Sequence, residues 1–333
     1  MGDSILRGEF NLHRENNSSS YEHKVHFTFA VITVAINIAS SLATVVLNSL
    51  LLRIHIRNQK SPSRILICNL TVTDILTGLV VQPTYVVHII HDMKGSIDST
   101  AFLVFSFAAY LVCGMSLVTA GGMSVDRLLA TVKPFVYKSY GNPKIFGAIV
   151  VFIWVQGVCF VSLYTANVIN NSLAQLAFTL TVAFAVISFI VSYAIILKSI
   201  RRRERRVTNC GPQGPNTVRS NPQTRKKKIT VTFALMVITI CLMYLPMFIV
   251  KLLLWRADSS QLFALNIANR MANTVTFLNS LLNPLLYLYN NVTVRRQMKD
   301  MCISNCFLFR QDQPRPLTGA NGGRSNFILA SSF

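Results

Sequence analysis

The chain has 333 residues, of which 52% are hydrophobic and 13% charged, about half the charged share of an ordinary soluble domain, roughly 25%. That balance excludes a soluble globular protein and places the chain in a membrane. The formal net charge is +20, but its distribution along the chain argues against a basic stripe for nucleic acid.

Seven apolar runs reach the roughly 20 residues that cross a bilayer. They lie near 26–52, 65–90, 101–130, 145–166, 173–198, 229–255 and 262–289. The expected fold is an all-α membrane protein, a seven-transmembrane helix bundle over 26–289 with a C-terminal amphipathic helix. The polar stretch 1–25 is expected to be an extracellular tail, since the run behind it is too long and badly flanked for a cleaved signal peptide. No repeat of 20–50 residues is present.

Seven spans put the termini on opposite sides. With the N-terminus outside, the inner segments hold 25 of the 32 Lys/Arg against four acids, Asp126, Glu204, Asp300 and Asp312. The outer side holds seven of each sign. The excess thus sits on one side, as the positive-inside rule requires, and a multi-pass plasma-membrane protein with a cytoplasmic C-terminus is expected. The sequons at Asn16, Asn17 and Asn170 fall outside and are candidate glycosylation sites. That at Asn291 falls inside.

In chain order, span one carries Asn48. Span two carries Asn69-Leu70-Thr71-Val72-Thr73-Asp74, with His88 and His91 at its outer end. These histidines lack a third ligand nearby and read as interfacial side chains rather than a metal site. Asp74 is the one acid well inside a span, and an ionisable residue there is a functional candidate by default. Span three carries Ser116 at a comparable depth and ends in Asp126-Arg127-Leu128, followed by Lys133-Pro134-Phe135. Adjacent opposite charges at a helix end also form plain local pairs.

The inner loop 199–228 has Arg/Lys runs at both ends and Gly211, Pro212, Gly214, Pro215 and Pro222 between them, a composition that predicts a flexible middle. Its basic ends attract anionic lipid, and helical extensions of spans five and six into it would suit a docking partner. Span seven carries Asn279, Ser280 and the phrase Asn283-Pro284-Leu285-Leu286-Tyr287. A proline there forfeits a backbone hydrogen bond that polar neighbours must replace. One carboxylate among amides and hydroxyls suits a sodium ion, or else a polar knot that packs helices.

Beyond Tyr287, residues 290–303 put Val294, Met298 and Met301 on one helical face and Arg295, Arg296 and Lys299 on the other, an interfacial helix lying on lipid. Cys302 and Cys306 at its end are candidate palmitoylation sites. The tail 304–333 reads as disordered and cytoplasmic, its last residues Ser331-Ser332-Phe333 matching a weak strand-addition motif. No cysteine lies in an outer segment, so no extracellular disulfide is expected.

In order and spacing, these motifs make the chain resemble a rhodopsin-like (class A) G protein-coupled receptor through all seven spans. The match rests on Asn48, Asn69-Leu70 with Asp74, Asp126-Arg127, Trp154, Tyr193, the stretch Cys241-Leu242-Met243-Tyr244-Leu245-Pro246, and Asn283 to Tyr287. The resemblance implies an outer ligand that shifts a two-state equilibrium, with helix six swinging about Pro246 to admit a heterotrimeric G protein. Arg127 would leave Asp126 and line the opened cavity with Tyr193 and Tyr287, while Phe135 would fill a pocket on the G protein. Asn48, Asp74, Ser116, Asn279, Ser280 and Asn283 would form the family's sodium pocket, and Pro284 the helix-seven bend. Arrestin, receptor kinases and membrane lipids are implied as further partners. No cofactor is expected beyond that ion.

Several positions depart from the family pattern. Leu128 replaces the motif tyrosine, Tyr244 the toggle tryptophan, Ala185 the helix-five proline and Phe102 the disulfide cysteine of helix three. Arg225 and Lys226 stand where an acid often restrains Arg127, so raised basal signalling is expected. The missing disulfide and proline resemble the melanocortin, lysophospholipid, cannabinoid and adenosine branch. Ala109 takes the helix-three position where aminergic receptors keep an aspartate, which argues against a monoamine. Thr84, Phe102 and Ser106 stand where melanocortin receptors carry acids, and Phe277 where opsins carry the retinal lysine.

The resemblance places a ligand pocket among Tyr85, His88, Ala109, Tyr110, Cys113, Tyr244, Met247, Phe248, Lys251, Asn273 and Phe277, with Arg270 nearby. Its apolar wall and basic rim suit a lipid or a small anionic ligand, although Lys251 and Arg270 would also suit lipid headgroups. Three other classes compete. A transporter would use Asp74 as a coupling site but calls for discontinuous helices or an inverted repeat, and neither is present in the sequence. A membrane enzyme lacks a His/Asp cluster. A receptor-like protein active without its own ligand remains the principal alternative.

Overall fold

The computed structural model describes residues 2–58, 64–94, 99–133, 142–166, 185–196, 222–258, 261–290 and 294–301, with isolated positions between them. Side chains are described from Lys24 onward, apart from those of 222–237 and a few single positions. Asn170, most of the inner loop, Cys302, Cys306 and the tail lie outside the described residues. So do the side chains of Asn16, Asn17, Arg225 and Lys226.

Helix α1 runs over Gly2–Asn58, continuous through the stretch read from sequence as a tail. The second span is α2 (Arg64–Leu76), a π-helical turn (Thr77–Val81) and α3 (Gln82–Met93). Then come α4 (Ser99–Val132), α5 (Pro143–Thr165) and α6 (Ala185–Ile196). Helices α7 (Pro222–Arg256), α8 (Leu262–Asn290) and a short α9 (294–301) complete the described residues. No strand occurs among the described residues.

The apolar segments Phe27–Arg57, Arg64–Met93, Thr100–Val132 and Pro143–Thr165 are each long enough to cross a bilayer, and α6 and Ile238–Leu254 of α7 are shorter apolar stretches. Helix α8 has the length, but its six asparagines between Leu262 and Asn290 lower its hydropathy. The outward faces are apolar: Leu42, Val151, Phe152 and Ile190 are each more than 60% exposed. In water such a surface would be a liability. In hydrocarbon it is the expected exterior.

Helix α1 packs inward through a polar seam. Ala30, Thr33, Asn37, Ser40, Thr44, Asn48, Leu51 and His55 recur at helical spacing, and all are buried. Small and hydroxylated side chains let membrane helices approach closely and bond across the gap. Two of those bonds repair prolines. Pro284 has no N–H to offer the carbonyl of Ser280, and Asn48 Nδ2 donates to that oxygen at 2.9 Å. In the second span, Gln82 N–H reaches back to the carbonyl of Thr77, five residues earlier. Pro83 has no donor, so the carbonyl of Gly78 is released and takes the Ser41 hydroxyl at 2.7 Å.

Among the described residues three apolar clusters fill the bundle. One joins Tyr85, Ile89, Phe105, Val112 and Phe277 near the end that carries Asp92. A second joins Leu117, Ala120, Ala185, Phe189, Ile240 and Tyr244 at mid-depth. The third lies near Asp126, where Val294 and Met298 of α9 pack on Leu51, Ile54, Leu66 and Tyr287. Arg295, Arg296 and Lys299 on the other face of α9 are exposed.

Candidate functional site

Helix α4 passes three polar sites in turn. Ala109, Tyr110 and Cys113 line a cavity at the Asp92 end, Ser116 lies at mid-depth, and Asp126-Arg127 closes the opposite end.

At mid-depth, Asn48, Asp74, Ser116, Asn279, Ser280 and Asn283 are all buried, none more than 4% exposed. Asp74 Oδ2 accepts a hydrogen bond from Asn283 Nδ2 at 2.8 Å, and Ser280 lies beside the same carboxylate. Asp74 Oδ1, Asn279 Oδ1 and Asn283 Oδ1 are buried acceptors that no described donor satisfies. An orphaned buried acceptor costs about 1–3 kcal/mol, and these three, one on the carboxylate and two on amides at comparable depth, make an oxygen-only donor set. That set fits a hard cation with its water, the pairing expected for sodium. One turn away, Asn69 Nδ2 donates to Thr119 Oγ1 at 2.7 Å while Trp154 Nε1 donates to Asn69 Oδ1 at 2.9 Å. Asn69 thereby ties α2 to α4 and α5.

The cavity at the Asp92 end holds about 380 Å3. Of the pocket residues named from sequence, Tyr85, His88, Ala109, Tyr110, Cys113, Met247, Lys251, Arg270, Asn273 and Phe277 line it. Tyr244 and Phe248 do not. Tyr244 lies in the mid-depth cluster, with Phe248 packed against that cluster, and its hydroxyl donates to the carbonyl of Cys113 at 3.3 Å. Aromatic rings make one wall: Tyr85 lies 4.7 Å from Phe105 and 5.3 Å from Phe277 between centroids, and His88 stacks on Phe105 at 5.6 Å. Among the described residues no three His, Cys, Asp or Glu side chains gather to hold a metal. At the mouth, Arg270 pairs with Asp92, while the Tyr85 hydroxyl donates to the Arg270 carbonyl at 3.0 Å. Helices α3 and α8 are thus fastened by both the side chain and the backbone of one residue.

At the other end Arg127 pairs with its neighbour Asp126 at 2.6 Å. The Tyr137 hydroxyl donates to Asp126 Oδ1 at 2.9 Å, which holds the carboxylate from beyond the end of α4. Phe135 stands 86% exposed. Tyr193 is half-buried, and the buried ring of Tyr287 meets His55 edge-on at 5.2 Å.

The model of the seven-transmembrane receptors of the rhodopsin family matches residues 45–172 and 156–287. The chain belongs to that family. It is therefore a multi-pass membrane receptor of a signalling family and not an enzyme. Its relatives include the trace amine-associated receptor 365 of Petromyzon marinus, 23% identical over 82% of this chain and 78% of the relative. The C5a anaphylatoxin chemotactic receptor 1 of Danio rerio is 26% identical over 71% of this chain and 69% of its own length. The histamine H2 receptor of Cavia porcellus is 22% identical over 69% and 67%. Those names span trace amines, histamine and the C5a anaphylatoxin.

Four contributors carry no signal of their role in the local sequence. Tyr137 lies eleven positions from Asp126, beyond a helix end, and no spacing rule couples them. Asp92 was an ordinary acid until folding brought Arg270 to it. Asn37 and Gln82 are buried and meet Thr274 and Ser40: Asn37 Nδ2 donates to Thr274 Oγ1 at 2.9 Å, and Gln82 Nε2 to Ser40 Oγ at 2.7 Å. For Asn37 the signal is longer in range, the polar stripe of α1 at intervals of three and four residues.

Proposed function

We propose that the chain is a plasma-membrane receptor, N-terminus outside and C-terminus in the cytoplasm, which converts binding of an extracellular ligand into activation of a heterotrimeric G protein. The observation that carries this reading is the placement of three sites along one helix. Cavity, buried carboxylate and Asp126–Arg127 pair are all served by α4, so a change at one end has a rigid element through which to act. Helices α7 and α8 both contain a proline, Pro246 and Pro284, where a bend is cheap.

In the resting arrangement Arg127 is held by Asp126. Ligand binding moves α7 about Pro246 and frees Arg127 to line, with Tyr193 and Tyr287, a cavity for the G protein, and exposed Phe135 offers an apolar contact beside it. A sodium ion at Asp74 favours the resting state. The ligand is a lipid or small anion and not a monoamine, because Ala109 offers no carboxylate to an ammonium. Glycosylation at Asn16, Asn17 and Asn170, palmitoylation at Cys302 and Cys306, and partnership with arrestin, receptor kinases and anionic lipid belong to the same reading.

The test is basal and ligand-driven activation of a panel of G protein biosensors in cells, with wild type and Arg127→Ala at matched surface expression. Activation that the substitution changes is the expected result. A second reading, activity without a ligand, is favoured by the basic pair Arg225 and Lys226 at the start of α7, which offers no acid to restrain Arg127. Under it, Lys226→Glu lowers basal activity. Equal basal activity in the two proteins removes its support.

A further inference from the structure

The lining of the cavity holds two cations, Lys251 and Arg270, against one carboxylate, Asp92. Asp92 is already engaged by Arg270 through Nη2. That pairing leaves two positive donors unspent. Among the described residues Lys251 has no carboxylate partner, and buried Arg270 Nη1 meets no acceptor. A buried guanidinium N–H without a partner costs more than a neutral one, and a planar fork of donors matches a carboxylate. The rings of Tyr85, Phe105 and Phe277 pack on one another and line the same cavity as these donors. The volume, about 380 Å3, lies at the small end of the usual range for ligand sites.

We propose that this cavity binds a small aromatic carboxylate, its anionic head between Lys251 and Arg270 Nη1 and its ring against the Tyr85–Phe105–Phe277 wall. This rests on the reading of the cavity as the ligand site. It narrows that reading from lipid or small anion to one chemistry. Asp92 is here a competitor for Arg270 and not a ligand for an ammonium. Its removal therefore separates the proposal from an amine site.

The probes are 3-phenylpropionate and indole-3-acetate, each with its primary amide and its matching amine, and dodecanoate as an alkyl acid. Binding is read as the rise in melting temperature of the purified full-length receptor, without G protein. The aromatic acids at millimolar concentration should stabilise the receptor, and their amides and amines should not. Lys251→Gln should weaken the acids by about tenfold or more, Lys251→Arg should keep them, and Asp92→Asn should leave them equal or tighter. Stabilisation by amide and acid alike, by amines lost in Asp92→Asn, or by dodecanoate alone overturns the proposal. So does acid binding indifferent to Lys251→Gln, or no stabilisation by either aromatic acid. Acid binding without any signal in the biosensor panel would count against coupling alone. Basal signalling without acid binding would count against this ligand class alone.

Discussion

Asn48 and Pro284 form one structural unit, although they stand on different helices. The proline leaves the carbonyl of Ser280 without its helical donor, and Asn48 Nδ2 supplies one at 2.9 Å. The same amide also donates to the Thr44 carbonyl at 2.9 Å, so the side chain is held from both helices. Asn48→Ala strips the donor and leaves a buried carbonyl unsatisfied, a loss of about 1–2 kcal/mol. The melting temperature of the purified receptor should fall accordingly. A variant melting with the wild type would show that α8 satisfies this carbonyl in some other way.

Two glycines separate close packing from loose packing. A Cβ at Gly78 would lie 2.8 Å from Val45 Cγ2 and 3.0 Å from the backbone oxygen of Ser41, so α1 itself would have to move. At Gly157 the nearest atom is Met115 Sδ at 2.9 Å, the flexible part of an adaptable side chain. Gly78→Ala should cost about 1–3 kcal/mol, the range for overpacking, and Gly157→Ala clearly less. Thermal melting of both variants checks the order, and the reverse order would refute the account.

The legibility of these features from sequence follows the range of the interactions. Asp74 and Asn283 announced themselves as polar residues in apolar runs, because the cost of burying them is local and visible in one span. The seven runs and the amphipathic pattern near Val294 were equally local. The π-turn at Thr77–Val81 was not, since Pro83 explains the missing donor but not that Ser41 of another helix would take up the Gly78 carbonyl. The Asp92–Arg270 pair and the Tyr137–Asp126 bond depend on how helix ends meet, which no periodicity encodes. Family spacing points Tyr244 toward the pocket. Its large side chain instead packs toward Leu117 and Phe189, below the cavity.

Sodium should stabilise the receptor through Asp74. A cation bound only in the folded, resting protein adds stability that grows with its concentration. Melting temperature should therefore rise when sodium chloride replaces choline chloride at equal ionic strength. Asp74→Asn keeps the size of the side chain and removes the charge, and its melting temperature should be the same in both salts. A sodium effect undiminished in that variant would place the ion elsewhere.

The last prediction concerns Tyr244, which stands where the family more often has tryptophan. Its hydroxyl donates to the Cys113 carbonyl at 3.3 Å and so joins α7 to α4 directly beneath the cavity. Cys113 also lines that cavity, so a ligand pressing on α4 acts on the acceptor of this bond. Tyr244→Phe removes the bond and leaves the ring in its cluster with Leu117 and Ile240. A neutral hydrogen bond contributes about 1 kcal/mol. If it forms only while α7 is at rest, its loss shifts the equilibrium toward the moved state by roughly fivefold. Basal G protein activation at matched surface expression should rise, while the melting temperature falls only slightly. Unchanged basal activity would mean that the bond persists in both states, and the movement of α7 would then have to pivot without disturbing Tyr244.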